Sequence, residues 1–412
     1  MPTRIERVTF AGSSGDQLAA RLDLPAGPPK AFAVFAHCFT CSKDLRAASR
    51  IAAVLTDLGY GLLRFDFTGL GASAGEFANT NFSSNVDDLV AAAAWLREHH
   101  RPPQLLVGHS LGGAAVICAA ARLPEVRAVA TIGAPSDAGH VAKLFAGSLD
   151  VIAAQGEIEV ELLGRRFTIR QQFLDDLRNG AVTDAAAMLD GSLLVMHSPV
   201  DNTVGVEHAA GIFQAARHPK SFVTLDHADH LLSNVVDAEY AASVIGAWAS
   251  RYLVDESGAS EAPRPSAQVV VAETTQGAFL NHVVAGRHRF LADEPESVGG
   301  FDAGPGPYDF LATALGACTS MTLRMYADRK QLPLDRVTVE VSHDKVHAAD
   351  AATDSGDGAV PTGGKIDQFT RVLHLSGALD DEQRASLLKI ADRCPVHRTL
   401  EQASRIVTRL DS

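Results

Sequence analysis

Gly108-His109-Ser110-Leu111-Gly112-Gly113 is the stretch whose reading decides the fold of this chain. The apolar run Leu105, Leu106, Val107 leads into it, and an Ala-rich run, Ala114 to Ala121, follows it. That order reads as strand, abrupt turn, helix. A serine at such a turn is lifted above the sheet, and small residues on either side let the backbone bend without clashing. A lone G-x-S-x-G carries little weight in a chain with 34 glycines. The strand before it and the helix-forming run after it give it the context of a nucleophile elbow.

Outward from the elbow, strands and helices alternate. Upstream, residues 4–10 and 17–23 alternate apolar and polar side chains around Gly12-Ser13-Ser14-Gly15, as a hairpin does. Ala31 to Ala36 is a continuous apolar run suited to a central strand buried on both faces. A helix is predicted over Leu45 to Leu58, a strand over Gly61 to Phe67, and a helix over Ser83 to His99 with the apolar face Val86, Leu89, Val90, Ala93, Leu96. Downstream come a strand at 126–132, a less regular insertion from about 136 to 190, and strands at 193–197 and 222–225. A helix follows Thr203, and another at 238–253 closes the unit. The insertion contains an expected hairpin around Gly164 and a helix through Phe173 and Leu177, placed where a cap over a pocket would sit. Strands alternating with helices indicate a mostly parallel sheet covered on both faces.

Composition changes after residue 253. Residues 254–266 have no apolar pattern and are rich in linker residues, so they divide a domain at 1–253 from one at 267–412. The second domain has a different order: strands at 268–275 and 278–285, then a helix from Pro307 to Lys330 whose middle is apolar nearly all round. Strands at 337–342 and 366–375 flank a polar loop, and a helix at 381–392, a short helix after Cys394 and a last strand near 405–409 complete an α+β pattern. A chain of 412 residues is long enough for two such cores.

With a formal net charge of -13 and no Lys/Arg cluster, the chain has no electrostatic footprint for nucleic acid or for an anionic membrane. Met1-Pro-Thr-Arg-Ile-Glu lacks the apolar core of a signal peptide, and the most apolar region, 114–134, is broken by charge and proline. Five cysteines do not make a disulfide framework in so long a chain. These features point to the cytoplasm. No H-E-x-x-H, paired C-x-x-C or Gly-rich phosphate loop appears, so neither metal nor cofactor is expected.

A serine hydroxyl is a poor nucleophile at neutral pH and needs an imidazole, itself oriented by a carboxylate. In a parallel sheet such groups come from loops beyond the carboxyl ends of strands. Two downstream loops qualify. One carries Asp201 and the other His230, in the order Ser, Asp, His. His227 is the rival base and Asp137 the rival acid, while His37 and His109 read as supports of the turn. Cys38-Phe39-Thr40-Cys41 matches C-x-x-C but lacks a thioredoxin context.

Residues 1–253 resemble the α/β hydrolases of the esterase and serine-peptidase-like kind. The likeness rests on His37-Cys-Phe-Thr, Arg64-Phe-Asp-Phe-Thr-Gly, Gly108-His-Ser-Leu-Gly-Gly, Asp201 and Ala228-Asp-His230. It implies Ser110 as nucleophile, His230 as general base and then acid, Asp201 as orienter, and an oxyanion hole from the backbone N–H groups of Leu111 and of Phe39, or alternatively Cys38. The family often has His-Gly where this chain has His37-Cys38. The expected substrate is a small-molecule ester with a small to medium acyl group.

In the second domain Cys394 precedes Pro395, a favoured first residue of a helix, beside Arg393 and His397, where a thiolate can be held. Cys318 lies among small and apolar residues, as a buried hydrophobe also would. Residues 267–412 are similar to the OsmC/organic hydroperoxide resistance family in the run from Gly304 to Cys318 and in Ala391-Asp-Arg-Cys-Pro-Val-His397. That resemblance implies an intertwined dimer or higher homo-oligomer, with Cys318 attacking a peroxide and Cys394 closing a disulfide. Two departures stand out. Tyr308 occupies the place of an activating Glu, and Thr274-Thr-Gln276-Gly277 lacks an activating Arg, leaving Asp309 and Arg287 or Arg289 as substitutes. Together the two likenesses cover nearly the whole chain and look like a bifunctional α/β-hydrolase/OsmC fusion. Three expectations follow: a carboxylesterase, a thiol-dependent hydroperoxide reductase, or a C-terminal domain that only builds an oligomer.

Overall fold

In a computed structural model the described residues are 4–38, 41–140, 149–162, 165–179, 182–258, 262–264, 267–347 and 364–410. Two compact units divide the chain: Met1–Glu261 with Thr274–Gln276, and Ala262–Glu273 with Gly277–Ser412.

The strands of the first unit are β1 (Arg4–Ala11), β2 (Gln17–Leu24), β3 (Ala31–Ala36), β4 (Tyr60–Phe65), β5 (Pro103–His109), β6 (Ala128–Ile132), β7 (Glu157–Leu162), β8 (Arg165–Arg170), β9 (Ser192–His197) and β10 (Lys220–Thr224). Its helices are α1 (Arg46–Asp57), α2 (Phe82–His99), α3 (Leu111–Ala120), α4 (Leu149–Gln155), α5 (Gln171–Asn179), α6 (Val182–Met188), α7 (Val206–Ala215) and α8 (Val235–Ala249). Eight strands form one sheet in the order β1-β2-β4-β3-β5-β6-β9-β10. The sheet is parallel from β4 to β10, and β2 is antiparallel to both of its neighbours. This is an α/β hydrolase fold.

Every residue of β3, β4, β5, β6 and β9 is buried, because helices cover both faces and each strand sends alternate side chains to each. On one face Val34, Leu63 and Leu106 pack with Leu89 and Leu96 of α2 and Ile117 of α3. On the other, Phe35, Leu62, Val107 and Met196 pack with Leu55 of α1 and Ile245 of α8. Helix α2 starts in a capping box, with Asn81 accepting from Ser84 N–H and Ser84 Oγ from Asn81 N–H. The insertion folds as the expected β7–β8 hairpin and the helix α5, with α4 and α6 in addition.

The second unit holds a three-stranded antiparallel sheet of β11 (Val269–Glu273), β12 (Asn281–Ala285) and β13 (His288–Ala292). It also holds an antiparallel pair, β14 (Leu334–His347) with β15 (Lys365–Gly377), and, among the described residues, the α-helices α9 (Pro307–Lys330), α10 (Asp381–Ala391) and α11 (Pro395–Glu401). Proline opens α9 at its first position, and Asp380 caps α10. Leu315, Thr319, Leu323 and Ala327 form the covered side of α9, while Leu311, Met321 and Met325 are exposed on the other. Three features depart from the sequence reading. β13 is an additional strand, β14 and β15 are longer than predicted, and 403–410 forms no strand and is exposed. Most of the predicted polar loop, residues 348–363, lies outside the described residues.

Candidate active site

The elbow is built by close packing. A Cβ on Gly108 would meet Gly112 O at 2.4 Å, and one on Gly112 would meet the carbonyl oxygens of Ala36 and His37 at 2.5 Å. Only glycine lets α3 start this near β3 and β5. Ser110 pays with φ 55° and ψ -125°, strain of about 1–3 kcal/mol that the surrounding packing must sustain. Its N–H donates to Ile132 O at 2.8 Å, tying the turn to the end of β6.

Ser110 Oγ lies 3.0 Å from His230 Nε2, and His230 Nδ1 lies 2.7 Å from Asp201 Oδ2. The structure therefore brings Ser110, His230 and Asp201 together from three loops. His227 is exposed, and Asp137 is also exposed, its Oδ1 accepting from Gly139 N–H at 2.9 Å. Asp201 does two things at once. Its Oδ1 accepts from the N–H groups of Thr203 and Val204 at 2.8 and 2.9 Å, which forms the turn before α7, and leaves Oδ2 for the imidazole. Burial pushes the Asp201 carboxyl up. The hydrogen bonds from His230, Val204 and Thr203, with the charge of His230, outweigh that and hold it below its usual range.

Two further residues set this geometry. His109 is buried, and its Nε2–H donates to His230 O at 2.6 Å, which fastens the loop that carries His230 to the end of β5, beside Ser110. Burial, then the neighbouring His230, drives the His109 imidazole down to about 4. Gly133, at φ 58°, sits where a Cβ would lie 3.3 Å from Asp201 Oδ2 and 3.4 Å from His230 Nδ1. Its role was invisible in sequence, where the one signal was a glycine directly after an apolar strand.

Leu111 is the first residue of α3, so its N–H has no intrahelical acceptor. Phe39, the expected second donor, lies outside the described residues. The chain on either side of it is firmly held. His37 Nδ1–H donates to Cys38 O at 2.7 Å, and Cys38 is disulfide-bonded to Cys41. Lys43 is clamped from two directions. Its N–H and its Nζ each lie 2.6 Å from Asp66, and Arg64 donates to Lys43 O while gripping Asp23 with Nε and Nη2. The Arg64-Phe65-Asp66 motif is thus an anchor for this turn. Among the described residues no group of three or more His, Cys, Asp or Glu side chains could hold a metal ion.

In the second unit Cys318 and Cys394 are free thiols. Cys394 is buried at the start of α11, where its Sγ accepts from His397 N–H at 3.3 Å and lies 3.6 Å from Thr319 Oγ1. The Thr319 hydroxyl donates to Leu315 O and accepts from Arg371, so the S–H of Cys394 donates to it. Arg371, on β15, also reaches Asp392 and His397 and is the guanidinium of this cluster, which sequence reasoning missed. Arg287 and Arg289 have no acidic partner among the described residues. Asp309 is engaged with Gly306 N–H at the start of α9, and Cys318 has no hydrogen-bond partner among the described residues.

The sheet order, the strained serine on the β5–α3 turn and the histidine and carboxylate beside it define an α/β hydrolase. A family model described as serine aminopeptidase, S33 matches residues 27–184, and one described as OsmC-like protein matches residues 300–409. The crystal structure of the esterase domain from a Rhodothermus marinus protein is 51% identical, covers 60% of this chain and 99% of that one, and superposes with a TM-score of 0.50. Mouse alpha/beta hydrolase domain-containing protein 10 shares the fold at 20% identity, over 60% of this chain and 99% of that one, with a TM-score of 0.52. Rattus norvegicus mitochondrial palmitoyl-protein thioesterase ABHD10 is 24% identical over 216 residues, 50% of this chain and 70% of that one. The chain belongs to the α/β hydrolases, with an esterase domain as its relative at 51% identity, fused to an OsmC-like domain.

Proposed function

We propose that the chain is a serine carboxylesterase acting on small to medium acyl esters through an acyl-enzyme on Ser110. His230 serves as general base and then acid, and Asp201 fixes its tautomer. The observation that carries this reading is the run of hydrogen bonds, 3.0 and 2.7 Å, from Ser110 Oγ through His230 to Asp201. As Oγ attacks the acyl carbon, its proton passes to Nε2, and the imidazolium is stabilised by the carboxylate on Nδ1. The oxyanion then takes the N–H of Leu111 and, on this reading, that of Phe39. His230 returns the proton to the leaving alcohol, and water repeats the sequence to release the acid. An ester is preferred over a thioester because the relative at 51% identity is described as an esterase domain, whereas the thioesterase relative stands at 24%.

Steady-state hydrolysis of p-nitrophenyl acetate tests the assignment. Ser110→Ala and His230→Gln lose about 10³-fold or more in kcat, with unchanged far-UV circular dichroism. His227→Ala and Asp137→Ala keep parental kcat. Full activity in Ser110→Ala overturns the proposal.

The OsmC-like unit is proposed to join two copies of the chain. Support comes from the apolar stripe of α9 at helical spacing, Leu311, Ala314, Cys318, Met321 and Met325, of which Met321 is 66% and Met325 73% exposed. The C-terminal segment adds Ile406 and Leu410, 88% and 97% exposed. Exposed apolar side chains in such a stripe are what a partner surface covers.

A further inference from the structure

Outside the residues that act on the ester, three polar side chains are hydrogen-bonded in a row that ends on the Asp201 loop. Ser136, a few residues past β6, has its N–H 3.3 Å and its Oγ 3.0 Å from His208 Nδ1 on α7. His208 Nε2 lies 2.9 Å from His140 Nδ1, and the two rings meet edge to face with centroids 4.4 Å apart. His140 Nε2 lies 2.8 Å from Thr203 O. Backbone groups at the two ends fix both tautomers. Thr203 O can only accept, so the His140 hydrogen is on Nε2. Ser136 N–H can only donate, so His208 Nδ1 carries a lone pair and its hydrogen is on Nε2. The middle contact is then His208 Nε2–H donating to His140 Nδ1. A second hydrogen on either ring would set two N–H groups against each other.

The end of this row is specific. Thr203 C=O and Val204 N–H belong to one planar peptide, and that N–H donates to Asp201 Oδ1 at 2.9 Å. The next carbonyl, Val204 O, takes the Nε2–H of the buried His197 at 2.8 Å. One peptide thus receives a hydrogen bond from His140 at its oxygen and gives one to Asp201 from its nitrogen. Donation to the oxygen polarises the N–H and strengthens its bond to the carboxylate. It also fixes the plane from which that N–H points. With Oδ1 anchored in this way, Oδ2 stays 2.7 Å from His230 Nδ1. We propose that His140, its tautomer set by His208 and Ser136, is a positioning residue for ester hydrolysis: it holds the Thr203–Val204 peptide so that Asp201 keeps its aim at His230. The proposal rests on the reading of Ser110, His230 and Asp201 as the acyl-transfer site. Losing the His140 Nε2–H leaves the two backbone donors of Asp201 in the chain but frees their peptide to turn. The cost falls on the chemical step rather than on substrate binding, about fivefold in kcat, the order of one net hydrogen bond.

Hydrolysis of p-nitrophenyl acetate by the full chain tests this. His140→Phe keeps a ring against His208 and removes the donor, and it should lose about fivefold in kcat with KM within about twofold of the parent. His140→Gln, whose amide can reach Thr203 O, should recover to within about twofold of the parental kcat. A double-mutant cycle separates the aiming of Asp201 from a general packing role. Once Asp201→Ala has removed the carboxylate, adding His140→Phe should cost less than about twofold. A parental kcat in folded His140→Phe overturns the proposal. So does a His140→Gln as slow as His140→Phe, or an undiminished loss when His140→Phe is added to Asp201→Ala. If circular dichroism shows that His140→Phe does not fold, His140→Asn carries the same expectation, because its shorter amide stops where Nδ1 stood. A parental kcat in Asp201→Ala strikes the reading beneath, whereas a crippled Asp201→Ala beside a parental His140→Phe strikes this proposal alone.

Discussion

Burial strips the His109 imidazole of solvent and leaves it neutral down to about pH 4, against 6.5 for an ordinary histidine. The unfolded chain therefore binds a proton at this position between pH 6.5 and 4 that the folded chain does not. Stability contributed by the neutral ring is fully present above 6.5 and is lost as pH falls towards 4, about 3 kcal/mol in all. Urea midpoints measured from pH 7 to 4 should fall more steeply for the parent than for His109→Gln, by roughly one proton's worth of slope. Equal slopes would contradict a buried neutral His109. At Gly133 the constraint is steric. A methyl group at φ 58°, 3.3 Å from the Asp201 carboxylate, displaces the carboxylate or the imidazole. Gly133→Ala should lose about tenfold or more in kcat with little change in KM, since small misplacements of catalytic groups are costly, and steady-state kinetics reads the split. Ser110, Asp201 and His230 were legible in the sequence because each follows an apolar strand and has a side chain suited to one chemical role. His109 and Gly133 were not, because their roles exist only where β5, β6 and loops more than 60 residues away converge, as His109 with His230 shows.

The insertion, proposed as a cap over the pocket, is fastened to the rest of its unit by specific contacts. The Phe77 ring meets Phe167 of β8 at 5.1 Å and Phe173 of α5 at 6.0 Å, and Asp176 of α5 accepts from Ser83 N–H and Oγ at the start of α2. A cap held down in this way favours short acyl chains. Across p-nitrophenyl esters the parent should give a higher kcat/KM for butyrate than for palmitate, and Phe77→Ala should narrow that ratio by loosening the cap. A parent that prefers palmitate contradicts this account of the cap. The β7–β8 hairpin was legible from alternation on both sides of a glycine. β13 was not, because His288 and Arg289 interrupt the apolar signal and only pairing with β12 reveals the strand. The reverse held for 405–409, where alternation suggests a strand but none of the described residues pairs with it.

At the scale of the whole molecule, the second unit leaves one side of its longest helix uncovered. Placing a charge on that stripe should separate two copies. Light scattering should show a dimer for the parent and a monomer for Met321→Glu/Met325→Glu, and a parent that is monomeric at micromolar concentration contradicts the proposed assembly. The domain order was readable from the composition change after residue 253, whereas the uncovered side of α9 was not, since an apolar helix reads alike whether its cover comes from its own chain or from another. The central claim concerns one oxygen in the first unit, and covalent labelling addresses it most directly. Incubation with a fluorophosphonate, followed by peptide mapping, should place a single adduct on Ser110, lost in Ser110→Ala and strongly slowed in His230→Gln. An adduct on another residue, or undiminished labelling of Ser110→Ala, would show that the nucleophile lies elsewhere.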